Sequence, residues 1–100
     1  MEAWGIVGRK SQTPQKVTEG RFEIEREGQI VFLEYSMTEK VLVLIHTQVP
    51  TTLRGLGLAS SLAETALQYA RQNNLKVDVI CPSVLEYIAK HPEYSDLVLR

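Results

Sequence analysis

The chain has 100 residues, a formal net charge of −1 and 44% apolar residues. That describes one small soluble domain with room for a single core, without the basic surplus that draws nucleic acid or lipid headgroups. Its one cysteine, Cys81, excludes an internal disulfide and any cysteine-cluster zinc site, and no metal-ligand pattern stands elsewhere.

Residues 1–16, MEAWGIVGRKSQTPQK, mix Gly, Pro, Ser, Thr and Lys without periodicity. They read as a flexible N-terminal extension, with Trp4, Ile6 and Val7 free to dock on the domain formed by residues 17–100. The extension lacks the apolar region of a signal peptide, and no apolar run reaches the ~20 residues of a membrane helix. With a single free thiol suited to a reducing compartment, a cytoplasmic location is expected. Phe22 and Ile24 alternate with Glu23 and Glu25, a half-buried strand. The Glu23, Glu25, Glu27 row reads as the wet face of an edge strand. Glu27-Gly28-Gln29 makes a turn, and Ile30–Tyr35 is a second strand rich in β-branched and aromatic residues. After a turn at Thr38-Glu39-Lys40, Val41–Ile45 is continuously apolar, as in a central strand covered on both faces.

A glycine loop follows, Arg54-Gly55-Leu56-Gly57-Leu58-Ala59, and then the strongest helical pattern of the chain. Ala59, Leu62, Ala63, Ala66, Leu67 and Ala70 form the apolar stripe, and Asn73-Asn74 ends it. Leu75, Val77 and Val79 alternate with Lys76 and Asp78 in a further strand, stopped by Cys81-Pro82. Strand, helix, strand is a right-handed crossover, so 41–46 and 75–80 should run parallel. A short helix over Val84–Lys90, limited by Pro92, closes the domain. The fold class is α/β (α+β): a small mixed, mostly antiparallel sheet, one βαβ crossover helix and a short C-terminal helix.

The loop has the chemistry of an anion site. Glycines let backbone N–H groups approach a ligand, and a helix N-terminus offers unpaired N–H groups and partial positive charge. Residues 51–63 contain no Asp or Glu, and Arg54 is their only charge. A P-loop needs Gly-Lys-Ser/Thr, and no lysine is present. A Rossmann fingerprint is nearly supplied by Gly55, Gly57 and Asp78. The chain is too short for two mononucleotide-binding halves, however, and Asp78 sits inside its strand.

The pattern R/Q-x-x-G-x-G/A, opening a helix after a strand, is matched by Arg54, Gly57 and Ala59. With IHTQVP, LRGLGLASSL, ALQYAR, LKVDVICP, YIAKHPEY and DLV, it resembles the small, single-domain YjdJ-type branch of the GCN5-related N-acetyltransferases over about residues 20–98. The resemblance implies a minimal form of that fold, with acetyl-CoA as the cofactor. It also implies a strand pair, 41–48 and 75–80, that splays to admit the pantetheine arm against the first strand's backbone, at Thr47 and Val49. The pyrophosphate would rest on Arg54, Gly55, Leu56, Gly57, Leu58 and Ala59. The implied activity is acetyl transfer to an amine. An acyl-CoA-binding module with little catalysis is the alternative.

Acetyl transfer needs a base for the ammonium, a donor for the developing oxyanion and a proton for the leaving thiolate. Cys81 ends the second splayed strand, where it is a nucleophile that first accepts the acetyl group, a wall of the acetyl pocket, or a small core residue. His46, at the other lip, is either the base or a structural strand-end histidine. Tyr87 lies near the position where relatives place the tyrosine that protonates the thiolate, with a packed helix tyrosine as the alternative. His91 caps the last helix, and Tyr94 is a further wall residue. The family's N-terminal acceptor-binding helices have no counterpart before the first strand, so an open acceptor groove is expected, suited to a protein or peptide amine. A monomer or weak homodimer, with no nucleic-acid or membrane partner, completes the expectation.

Overall fold

The computed structural model describes residues 17–99. The extension expected at 1–16 therefore lies outside the described residues. Alternation builds the first hairpin, β1 (Val17–Arg26) and β2 (Gln29–Thr38), which pair antiparallel from Arg26↔Gln29 to Val17↔Thr38. Phe22 and Ile24 stand opposite Leu33 and Val31, so one face carries a continuous apolar row. Glu23 and Glu25 point the other way, and Glu23 pairs with Arg21 at 2.8 Å. Glu27 leaves the row expected for it: it occupies the turn at φ 55°.

β3 (Val41–Gln48) joins β2 antiparallel, and β4 (Lys76–Val79) joins β3 parallel, in the sheet order β1-β2-β3-β4. Between them run a 3-10 turn (Thr51–Leu53) and the crossover helix α1 (Leu58–Gln72). α1 buries Leu58, Leu62, Ala63, Ala66, Leu67 and Ala70, as the stripe predicts. The structure corrects one strand. The apolar run of β3 is not covered on both faces: Leu42 and Leu44 are fully buried, while Val41, Val43 and Ile45 are only half-buried. The buried residues of both helices share one core with Leu42 and Leu44, which leaves the outer face to its strand neighbours.

The second helix, α2 (Pro82–Lys90), begins two residues before the expected Val84 because proline fits the first helical position, where its missing N–H costs nothing. Pro92 opens a 3-10 helix, Pro92–Leu97. Arg71 anchors it, donating to Asp96 Oδ1 at 3.1 Å, to Asp96 Oδ2 at 3.3 Å and to the Glu93 carbonyl at 2.7 Å. Val98 then bridges Val77, and the Leu99 N–H donates to the Val77 carbonyl at 2.8 Å, covering part of the sheet's exposed edge.

The hydrogen bond from Arg71, followed by the charges of Arg71 and Lys76, holds the Asp96 carboxyl below its ordinary value of 3.8. A carboxyl depressed in the folded state stabilises above its unfolded value and loses that contribution as pH falls through the folded one. Asp96→Asn should therefore lower the urea midpoint at neutral pH, and the difference from wild type should close as the solution is acidified below 3.8. Arg71→Ala should speed exchange of the Leu99 amide. Unchanged exchange would show that the C-terminal bridge holds without the clamp. No described helix is long and apolar enough to cross a membrane.

Candidate functional site

The site originates in an irregularity of β3. Its pairing with β2 steps from Tyr35↔Leu44 to Glu34↔His46, leaving Ile45 with no opposite residue. This is a β-bulge, and it reverses the alternation of the strand. Before it Leu42 and Leu44 face the core. After it Thr47, opposite buried Leu33, faces inward, while His46 and Gln48 are exposed.

At the same level β4 leaves. The Leu44 carbonyl accepts from both the Ile80 N–H (2.9 Å) and the Cys81 N–H (3.0 Å). Parallel pairing ends at Leu44↔Val79, and β3 continues through Gln48 without β4 beside it. The splay expected for the two strands is present, with Leu44 at its apex.

Cys81 sits just past that apex as the residue preceding α2, with its side chain 2% exposed. The Thr47 Oγ1 lies 3.2 Å from its Sγ. Beyond them opens a cavity of about 310 Å³, lined by Thr47, Val49, Leu53, Arg54, Gly55, Gly57, Leu58, Ala59, Ser60 and Ser83. Of the residues read from the sequence as coenzyme-binding, only Leu56 does not line it; its side chain is 55% exposed. Leu53, Ser60 and Ser83 escaped sequence reasoning. The two serines carry a faint signal, since each falls in the first turn of a helix.

α1 points its N-terminus at this cavity. Gly57 precedes the helix at φ 79°, with no side-chain cap and no acid in the first turn. The first helical bond runs from the Ser61 N–H to the Gly57 carbonyl, so the N–H groups of Leu58, Ala59 and Ser60 precede the ladder. A Cβ built on Gly55 or Gly57 meets nothing within 4 Å, so both glycines keep space open rather than relieve a clash. Arg54 Nε donates to the Val49 carbonyl at 3.2 Å, tying the loop to the end of β3.

The catalytic candidates are not gathered together. Cys81 lies at the apex. His46 is on the outer face of the sheet, its Nε2 3.2 Å from Gln48 Oε1 and its ring edge-on to Phe32. Tyr87 lines an adjoining groove of about 170 Å³ together with Ala59, Ser60, Ser83, Glu86, Lys90 and His91. Its ring stacks on His91 at 4.0 Å and 17°. His91 Nδ1–H donates to the Tyr87 carbonyl at 3.0 Å, the capping role read for it. Burial, then the charges of Glu64, Tyr94 and Glu93, raises the Tyr87 phenol above its ordinary value, so it holds its proton at neutral pH. Tyr94 is buried and accepts from Gln68 Nε2 at 3.0 Å.

A mixed sheet whose parallel pair parts beside an uncapped helix, over a cavity, defines the α/β class of the domain. The comparisons make this specific: the GCN5-related N-acetyl-transferase family profile matches residues 21–97, and the chain belongs to that family. Among curated relatives, Protein NATD1 of Gallus gallus is 32% identical over 63 residues, 63% of this chain and 56% of that protein. The Homo sapiens protein of the same name is equally identical over 63 residues, with 55% of its length covered. The Danio rerio protein is 29% identical over 73 residues, 71% of this chain and 66% of its own length. The chain thus spans little more than half the length of the first two.

Proposed function

We propose that the chain is an acetyl-CoA-dependent N-acetyltransferase acting on an amine by direct attack. The observation that supports this most is the cavity at the uncapped α1 N-terminus, continuous with the splay of β3 and β4. The residues fit such a coenzyme. The N–H groups of Leu58, Ala59 and Ser60 suit a pyrophosphate, no carboxylate in the first turn opposes it, and Gly55 and Gly57 leave the approach clear. Beyond Leu44 the edge of β3 that β4 leaves, at Thr47, offers backbone to an amide-bearing arm, and Val49 lines the cavity just past the strand.

Acetyl-CoA, when bound, supplies the activated thioester. The chain's own groups position it and move protons. His46 takes the proton the acceptor ammonium must lose before attack. A Gln Oε1 only accepts, so His46 Nε2 carries the hydrogen and Nδ1 is the basic atom. In this reading the acceptor approaches from the outer face of the sheet, opposite the helices, where His46 is exposed. The Tyr87 phenol, held protonated, is the donor for the leaving thiolate. Cys81 is buried against Thr47 and does not line the cavity, which favours direct attack over a covalent relay.

Acetyl-CoA should raise the melting temperature, since a native-state ligand at 100 times its Kd stabilises by about 2.7 kcal/mol. No shift at millimolar coenzyme overturns the proposal. Binding without turnover on any amine would favour the module reading, which the open outer face also permits. After incubation with labelled acetyl-CoA, intact mass should show an unmodified chain, and Cys81→Ala should keep its turnover. Acetyl retained on Cys81 would overturn direct attack.

A further inference from the structure

Acetyl transfer needs a base, a proton for the thiolate and a donor for the carbonyl oxygen as it becomes an oxyanion. His46 and Tyr87 answer to the first two, and the third role is open. Thr47 is placed for it. The bulge at Ile45 turns Thr47 inward, and it is the β3 residue that lines the cavity, with Val49 just past the strand. Its Oγ1 lies 3.2 Å from Cys81 Sγ, just past the level where β3 and β4 part, so Thr47 marks the inner end of the cavity. His46 and Thr47 are consecutive and leave the strand on opposite faces, the base outside and the hydroxyl inside. A hydroxyl has one proton to give, and sulfur is a weak acceptor. Cys81 is buried, and Thr47 Oγ1 is its side chain's one hydrogen-bond partner among the described residues. The favoured arrangement is therefore the thiol S–H donating to Oγ1, which satisfies the buried group. It leaves the Thr47 proton without a protein acceptor among the described residues, on a side chain that faces the cavity.

We infer that Thr47 is a catalytic residue whose hydroxyl donates to the thioester oxygen. This rests on the acetyltransferase reading above. As the amine freed by His46 bonds to the carbonyl carbon, one C=O electron pair moves onto oxygen, and it returns when the C–S bond breaks. Thr47 holds its hydrogen bond throughout and transfers no proton. The departing sulfur takes the Tyr87 proton, and the surplus proton of the new amide nitrogen leaves through water, from which Tyr87 is restored. The experiment compares wild type, Thr47→Ser and Thr47→Val in two ways. One is calorimetric titration with acetyl-CoA and with S-ethyl-CoA, which lacks the carbonyl. The other is infrared difference spectroscopy of an isotope-labelled thioester. Wild type should bind acetyl-CoA about fivefold more tightly than S-ethyl-CoA, the scale of one neutral hydrogen bond, and should lower the carbonyl stretch below that of free acetyl-CoA. Thr47→Ser keeps the hydroxyl and should keep both signatures. Thr47→Val keeps the β-branched shape without the hydroxyl, and should lose both while binding S-ethyl-CoA as wild type does. A stretch lowered equally in Thr47→Val would give the role to backbone N–H groups, which overturns this assignment and leaves the coenzyme reading standing. A wild-type stretch equal to that of free acetyl-CoA, or a Thr47→Ser that behaves as Thr47→Val, does the same. Failure of wild type to bind either ligand overturns both.

Discussion

Gly57→Glu should remove the stabilisation expected from acetyl-CoA, while Gly57→Ala should retain most of it. Gly57 stands at φ 79°, where a non-glycine residue costs about 1–2 kcal/mol. Both variants bear that strain, and neither Cβ meets a neighbour within 4 Å. They differ only in what projects into the open space. The alanine methyl is small and neutral. The glutamate puts a carboxylate at the N–H groups of Leu58, Ala59 and Ser60, where it satisfies them itself and repels phosphate. Expected binding falls by at least about 100-fold, the scale of one lost charge-assisted contact plus a like-charge clash. Thermal shift across a coenzyme titration measures it. Unimpaired binding in Gly57→Glu would move the phosphate site away from α1.

Leu67→Ala destabilises the domain by about 3 kcal/mol, the transfer loss plus the cavity left behind. Leu67 is fully buried on the stripe of α1, in the single core that the strands and both helices share. A chain of this size is stable by only ~5–15 kcal/mol, so the melting temperature should fall by roughly 15 °C. Urea unfolding checks it; a loss under 1 kcal/mol would mean that the helix repacks over the gap. Leu67 lines neither the cavity at the α1 N-terminus nor the adjoining groove, so where Leu67→Ala remains folded, its affinity for acetyl-CoA should be unchanged. The pair of variants therefore separates loss of fold from loss of site.

Most of the elements were legible because each rests on neighbours in sequence. The helical stripe of α1, its end at Asn73 and the alternation of β1 all appear where the residues place them. The glycine loop that opens α1 was legible for the same reason, since strand, glycines and helix start are consecutive. Two features were not. Val41–Ile45 reads as doubly covered, but whether helices lie on one face or both depends on how α1 and α2 pack. The bulge at Ile45 leaves no trace in its own residues either, because it exists only as a step in register against β2. That step decides that Thr47 rather than His46 meets Cys81, and it divides the catalytic candidates between two faces.

The amino-acid order by itself determined the elements, the crossover and an uncapped, acid-free start of α1, because periodicity, glycine placement and the absence of acids act over a few residues. Tertiary structure alone decided the splay at Leu44, the Thr47–Cys81 contact and the second groove, between α1 and α2. Each joins segments far apart in the chain, and their meeting is set by packing and strand register.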